Sequence, residues 1–236
     1  QRQQAHRLGI RDGHAGSLTV IQRFGSGLNL NVHFHTLVLD GVFAETEPGL
    51  LRFHPAPPLG DEDVARLLAT IRTRVRQLLE RRGLEPHDEG LMPPDPVAEE
   101  SLALAGISSA SVLGRIALGR RAGARVLRLG REPNAPWVTS TGPRQAHLEG
   151  FDLHAGLRVP AENRARPEQL CRYLLRPPVA QDRLRLTGDG RVLVELKSEW
   201  ADGTSHLLLE PLELIEKLAA LTPRPRVNLV FYHGVL

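Results

Sequence analysis

The sequence predicts an α+β fold in which a largely antiparallel central sheet carries flanking helices. Three observations lead there. Runs rich in β-branched and aromatic residues outnumber helical stripes. The joints between several of these runs are short turn signals, at 25–27, 40–41 and 188–190. Only one segment, 61–82, shows a long apolar stripe at helical spacing. The composition agrees: 236 residues at 41% hydrophobic and 24% charged are enough for one large domain or two small ones. Aromatics make up only 4%, so Leu, Val, Ile and Ala must fill the core.

In chain order, residues 17–24 (SLTVIQRF) read as a strand, and Gly25-Ser26-Gly27 turns the chain into a second run, 29–41. That run reads as a buried, central strand, continuing past Asp40-Gly41 into Val42 and Phe43. Residues 48–60 hold four prolines and are expected to be loop. A helix over 61–82 follows from Val64, Leu67, Leu68, Ile71, Val75, Leu78 and Leu79 on one stripe. Asp61, Glu62 and Asp63 suit its N-terminal dipole, and Gly83 suits its end. A proline-rich linker covers 84–97, then a small-residue helix 98–122 and a short strand 125–129. A strand is expected within 146–157, a helix opened by Pro167 and running to 175, and a hairpin of 183–187 with 192–197. Strand 204–209, helix 211–221 and strand 226–232 complete the chain.

Function classes narrow quickly. The lone Cys171 rules out an internal disulfide and a cysteine-based zinc site. No run of 18 apolar residues exists to span a membrane, and no signal-peptide pattern shows. The first residue is Gln and the last run stops at Leu236, so the chain reads as a piece of a longer protein, expected in a reducing cytoplasm. P-loop, dinucleotide and nucleophile-elbow motifs are absent. The formal charge is +3, and all basic residues except Lys197 and Lys217 are arginines. Arginine suits bidentate phosphate contacts; it also rises with genomic base composition. The densest basic cluster is Arg115, Arg120, Arg121, Arg125, Arg128 and Arg131, either a phosphate surface or a solvated face.

The chemistry concentrates in His33-Phe34-His35. Strand alternation puts both imidazoles on one face, about 7 Å apart along the strand, and Phe34 on the other. Two histidines and an oxygen ligand suit a divalent metal, which beside a phosphodiester polarises the phosphoryl oxygen. With ten histidines in the chain the triplet alone is a weak signal, and the bland alternative is a pair satisfied by polar neighbours. A nucleophile is then needed. Of the two tyrosines, Tyr232 sits in an apolar run, whereas Tyr173 lies on a short helix closed by Pro177-Pro178, flanked by Arg172 and Arg176. Guanidinium charge favours a phenolate; the alternative is a tyrosine that buries its ring and wets its hydroxyl.

Four segments together resemble a known family. QRFGSGLNLNVHFHTLVLDGVF (22–43) is similar to the signature of rolling-circle insertion-sequence transposases, which are HUH single-strand endonucleases. CRYLLRPPVAQDRL (171–184), LKSEWADGTSHLLLEPLELIEKLAALTPRPR (196–226) and FYHGVL (231–236) resemble the same family in the same order. The resemblance implies an HUH-nuclease-like catalytic domain over 7–236 after a short tail, 1–6, without the family's N-terminal zinc-binding region. It implies Mg²⁺ or Mn²⁺ held by His33 and His35 against single-stranded DNA at element ends. Tyr173 would attack the scissile phosphate and leave a 5′-phosphotyrosine, with phosphate contacts expected from Arg172, Arg176 and Lys197. The third metal ligand is expected to be Gln22 on the preceding strand, with His154 as runner-up; Asp40 falls on the other face. Gln169 stands where some members have a second tyrosine, which places the chain in the single-tyrosine subgroup. Two alternatives stay open: the same chemistry in a plasmid replication initiator or relaxase, and an inactive DNA-binding remnant.

Overall fold

Alternation builds the first sheet of the computed structural model, which describes residues 5–6, 9–84, 95–130, 142–160, 163 and 165–235. Strand β1 (Gly16–Phe24) buries Val20 and Gln22, two residues apart and so on one face. It pairs antiparallel with β2 (Leu30–Val38), setting Val20 opposite His35 and Gln22 opposite His33. Strand β3 (Gly41–Glu47) folds back on β4 (Leu50–Pro55) as a separate hairpin. Gly41 is required there, because a Cβ would lie 2.3 Å from the carbonyl oxygen of His54.

Helix α1 (Asp61–Arg81) follows, with its first-turn carboxylates at the positive end of the dipole. It buries Val64 and Leu68, and Gly83 at φ +63° turns the chain away. Helices α2 (Pro96–Glu100) and α3 (Leu102–Val112) are separated at Ser101, whose hydroxyl accepts from the Leu104 N–H and caps the second. Strand β5 (Leu127–Gly130) comes next, then the hairpin β6 (Gln145–Leu148) and β7 (Phe151–His154), against which α1 packs. Helix α4 (Ala165–Leu174) carries Tyr173. Strands β8 (Leu184–Leu186), β9 (Val192–Glu195) and β10 (Thr204–Leu209) join β5 in a four-stranded antiparallel sheet ordered β5-β10-β9-β8. Helix α5 (Pro211–Leu221) precedes β11 (Val230–Gly234), which returns to β1 and completes the first sheet in the order β11-β1-β2.

The core lies between the four-stranded sheet and α5, from Val194, Leu196, Leu207, Leu209 and Leu221 with Ile116 and Leu28. Each buried leucine there contributes about 2 kcal/mol. Leu28 and Leu30 come from the turn and start of β2, so the histidine strand is rooted in this core. The Leu30 N–H also donates to Ser111 Oγ at 2.8 Å, fastening β2 to α3. A buried charged network secures α5. Glu216 accepts the backbone N–H groups of Ala117 and Leu118, Glu213 pairs with Arg121 at 3.0 Å, and Lys217 donates to the Arg115 carbonyl.

The expected α+β class with antiparallel sheets is what the chain forms. Several local expectations need correction. The histidine strand is neither central nor buried on both faces: among the described residues β2 is an edge strand, and Phe34 is 66% exposed. Its apolar residues Val32, Phe34 and Val38 sit on an open face, so hydrophobicity alone misread its position. Residues 50–55, expected as loop, pair with β3 because the prolines fall at the rim of that hairpin. The helix expected over 98–122 ends at Val112, before Gly114 at φ +65°. The last strand begins at Val230 rather than 226, after Arg226 at φ +66°. Of the arginine cluster, Arg121 and Arg128 form ion pairs with Glu213 and Asp202, while Arg131 lies outside the described residues.

Candidate active site

Three elements meet at one face of the first sheet: β1 supplies Gln22, β2 the two histidines and α4 the tyrosine. The His33 and His35 ring centroids are 4.9 Å apart, closer than their strand spacing of about 7 Å, so the rings converge. The Tyr173 ring stands edge-on to His35 with centroids 5.9 Å apart. Leu174 is buried and anchors the helix end, leaving the neighbouring Tyr173 39% exposed at the lip of the site.

The hydrogen bonds fix which atoms are available. His33 Nδ1 lies 2.9 Å from the Asn31 carbonyl oxygen. That oxygen can only accept, so Nδ1 carries a proton and Nε2 is the nitrogen left to meet a ligand. Gln22 Nε2 donates to the Leu174 carbonyl at 2.7 Å and reaches the Tyr173 carbonyl at 3.4 Å. Carbonyls again demand a donor, so the amide oxygen must face the other way. It faces His35, whose Nε2–H donates to Oε1 at 3.2 Å. Burial holds the His35 pKa below its ordinary value, and the positive charge of His33 and Arg176 lowers it further. His35 is therefore held toward its neutral form, and ligation through Nε2 requires the ring proton to move to Nδ1.

Cations bracket the phenol ring. Arg176 Cζ lies 4.2 Å from its centroid and Lys197 Nζ 4.6 Å, both within cation–π reach. Arg176 also lies 5.7 Å from the Phe24 ring, and its buried Nε has no hydrogen-bond partner among the described residues. A buried, unpaired guanidinium N–H beside two imidazoles favours an anion.

The donor set fits a divalent cation. Among the described residues no three His, Cys, Asp or Glu converge on such a site. Protein ligation would therefore come from two imidazoles and the Gln22 amide oxygen.

The structure brings together Gln22, His33, His35, Tyr173, Arg176 and Lys197. Arg172 is held elsewhere, 2.9 Å from Glu168 on the solvent side of α4. His154 lies on β7, and no hydrogen bond or ring contact among the described residues joins it to the histidine pair. Asp40 forms an ion pair with Arg158 at 2.7 Å. Phe24 and the Asn31 carbonyl were not singled out by the sequence. Strand alternation does not lead to Phe24, because the β1–β2 register shifts between Gln22 and Phe24.

Paired histidines on β2 thus stand beside the tyrosine at the end of α4, with Gln22 between strand and helix. Residues 16–236 match the family model Y2_Tnp, described as "Putative transposase", and the chain belongs to that transposase family. Neither a curated protein nor a solved structure matches the chain. No helix among the described residues is long and apolar enough to cross a membrane.

Proposed function

We propose that this chain is the metal-dependent single-stranded DNA endonuclease and strand transferase of a rolling-circle transposase of the HUH type. The observation that carries the reading is the meeting of Tyr173 with His33, His35 and Gln22 at one sheet face. His33, His35 and Gln22 would hold Mg²⁺ or Mn²⁺. Once bound, such an ion supplies Lewis-acid polarisation of the phosphoryl oxygen. Arg176 and Lys197 attract the phosphate and keep the phenol ring oriented between them. The Tyr173 hydroxyl oxygen forms a bond to phosphorus while the bond to the 3′ oxygen breaks. The phenol proton leaves to solvent, and the departing 3′ oxygen takes one up. The products are a 5′-phosphotyrosine and a free 3′-hydroxyl, so the strand can be rejoined without ATP.

The test is incubation with oligonucleotides spanning the ends of the chain's own element and Mn²⁺. The expected result is a denaturation-resistant adduct mapping to the Tyr173 peptide. Tyr173→Phe keeps the ring and its neighbours, so it should bind DNA as before and form no adduct. Adducts persisting in that variant, or cleavage without any adduct, would overturn the assignment.

A further inference from the structure

Gln22 does something a metal ligand alone does not explain. It is 3% exposed, and both ends of its amide are engaged by different elements. One end meets the carbonyls of Tyr173 and Leu174, at the point where α4 stops. Last-turn carbonyls have no donor within their own helix, so a buried one needs a partner from outside. The other end meets His35 on β2. The amide is planar and rigid, and the side chain comes from β1, the middle strand of its sheet. A methionine would fill the same volume without either contact.

We infer that Gln22 is a positioning residue that couples the cation-binding imidazole to the turn of helix carrying Tyr173. The inference rests on the site reading proposed above. A change in what His35 Nε2 binds alters what Gln22 Oε1 faces. The opposite end of the same amide passes that change to the helix. The nucleophile's helix is therefore held most firmly when the histidines hold their ion, and idle enzyme keeps a looser tyrosine. Gln22 touches no reacting atom in this role; it acts through His35 and the helix end.

Hydrogen exchange separates this from a simple packing role. In the wild-type chain without DNA, saturating Mn²⁺ should slow amide exchange of residues 173–175 about threefold or more. Gln22→Glu keeps an oxygen toward His35 but cannot donate to the two carbonyls. It should still bind Mn²⁺, lose the exchange response and form the Tyr173 adduct about tenfold more slowly at saturating Mn²⁺. Gln22→Met should lose the response as well and bind Mn²⁺ more weakly. A wild-type chain whose helix exchange ignores Mn²⁺ would overturn the coupling, and so would Gln22→Glu with a wild-type response and rate. If Gln22→Glu fails to fold, the wild-type exchange response decides alone. Failure of the site reading looks different: no Tyr173 adduct in the wild-type chain, or His35→Ala binding Mn²⁺ undiminished.

Discussion

Glu216 offers the sharpest check on how the site's platform is held. The residue is 2% exposed, and its carboxylate accepts from the Ala117 N–H at 2.9 Å and the Leu118 N–H at 2.8 Å. Lys217 Nζ lies 3.8 Å from Glu216 Oε1 and is equally buried. Burial lowers the Lys217 pKa, while Glu216 and Glu213 oppose that shift. Glu216→Ala removes two charge-assisted hydrogen bonds, leaves two backbone donors dry and takes away an anion beside a buried ammonium. Such a loss costs about 3–5 kcal/mol. For a chain of this size that is a fall of roughly 10 °C in melting temperature. Glu216→Ala combined with Lys217→Met should cost less than the two single changes added together, because the stranded charge goes with its partner. Thermal and urea unfolding of the four proteins measure this directly. A loss below about 1 kcal/mol for Glu216→Ala, or strict additivity, would refute the argument that the pair is coupled.

Two further outcomes follow from named contacts. Asp202 accepts from the Thr204 N–H at 2.9 Å and pairs with Arg128 at 3.5 Å, and these hold its pKa below the ordinary aspartate value of 3.8. A depressed carboxylate stabilises above its unfolded value and loses that contribution as pH falls through the folded one. Asp202→Asn should therefore be less stable near neutrality, with the gap to wild type closing below about pH 3.8 in an acid titration; a constant gap would contradict this. Arg176→Lys keeps the charge but loses the planar group lying over Tyr173 and Phe24. Adduct formation should slow about tenfold while stability changes by less than about 1 kcal/mol, and a wild-type rate would remove Arg176 from phosphate binding.

Much of the fold was legible wherever period or punctuation was strong. The stripe from Val64 to Leu79 gave α1, Pro211 opened α5, and the Gly188–Gly190 turn marked the β8–β9 hairpin. The shared face of His33 and His35 followed from strand period alone. What stayed hidden depends on partners distant in sequence. No local pattern says that Phe34 faces open space, because edge or central position is decided by what pairs with β2. Arg172 and Arg176 look alike in the sequence, yet Glu168 captures the one on the helix and the rings of Tyr173 and Phe24 hold the one just past its end. Gln22 reads as a candidate ligand from its strand register. Its grip on carbonyls 151 and 152 residues away is visible only in three dimensions.

Paramagnetic broadening of side-chain signals by substoichiometric Mn²⁺ tests most directly whether imidazoles and phenol share one ion site. The His33, His35 and Tyr173 ring resonances should broaden together and first, and His33→Ala or His35→Ala should abolish the effect on Tyr173. A sharp Tyr173 signal beside broadened histidines, or broadening centred on other side chains, would contradict it.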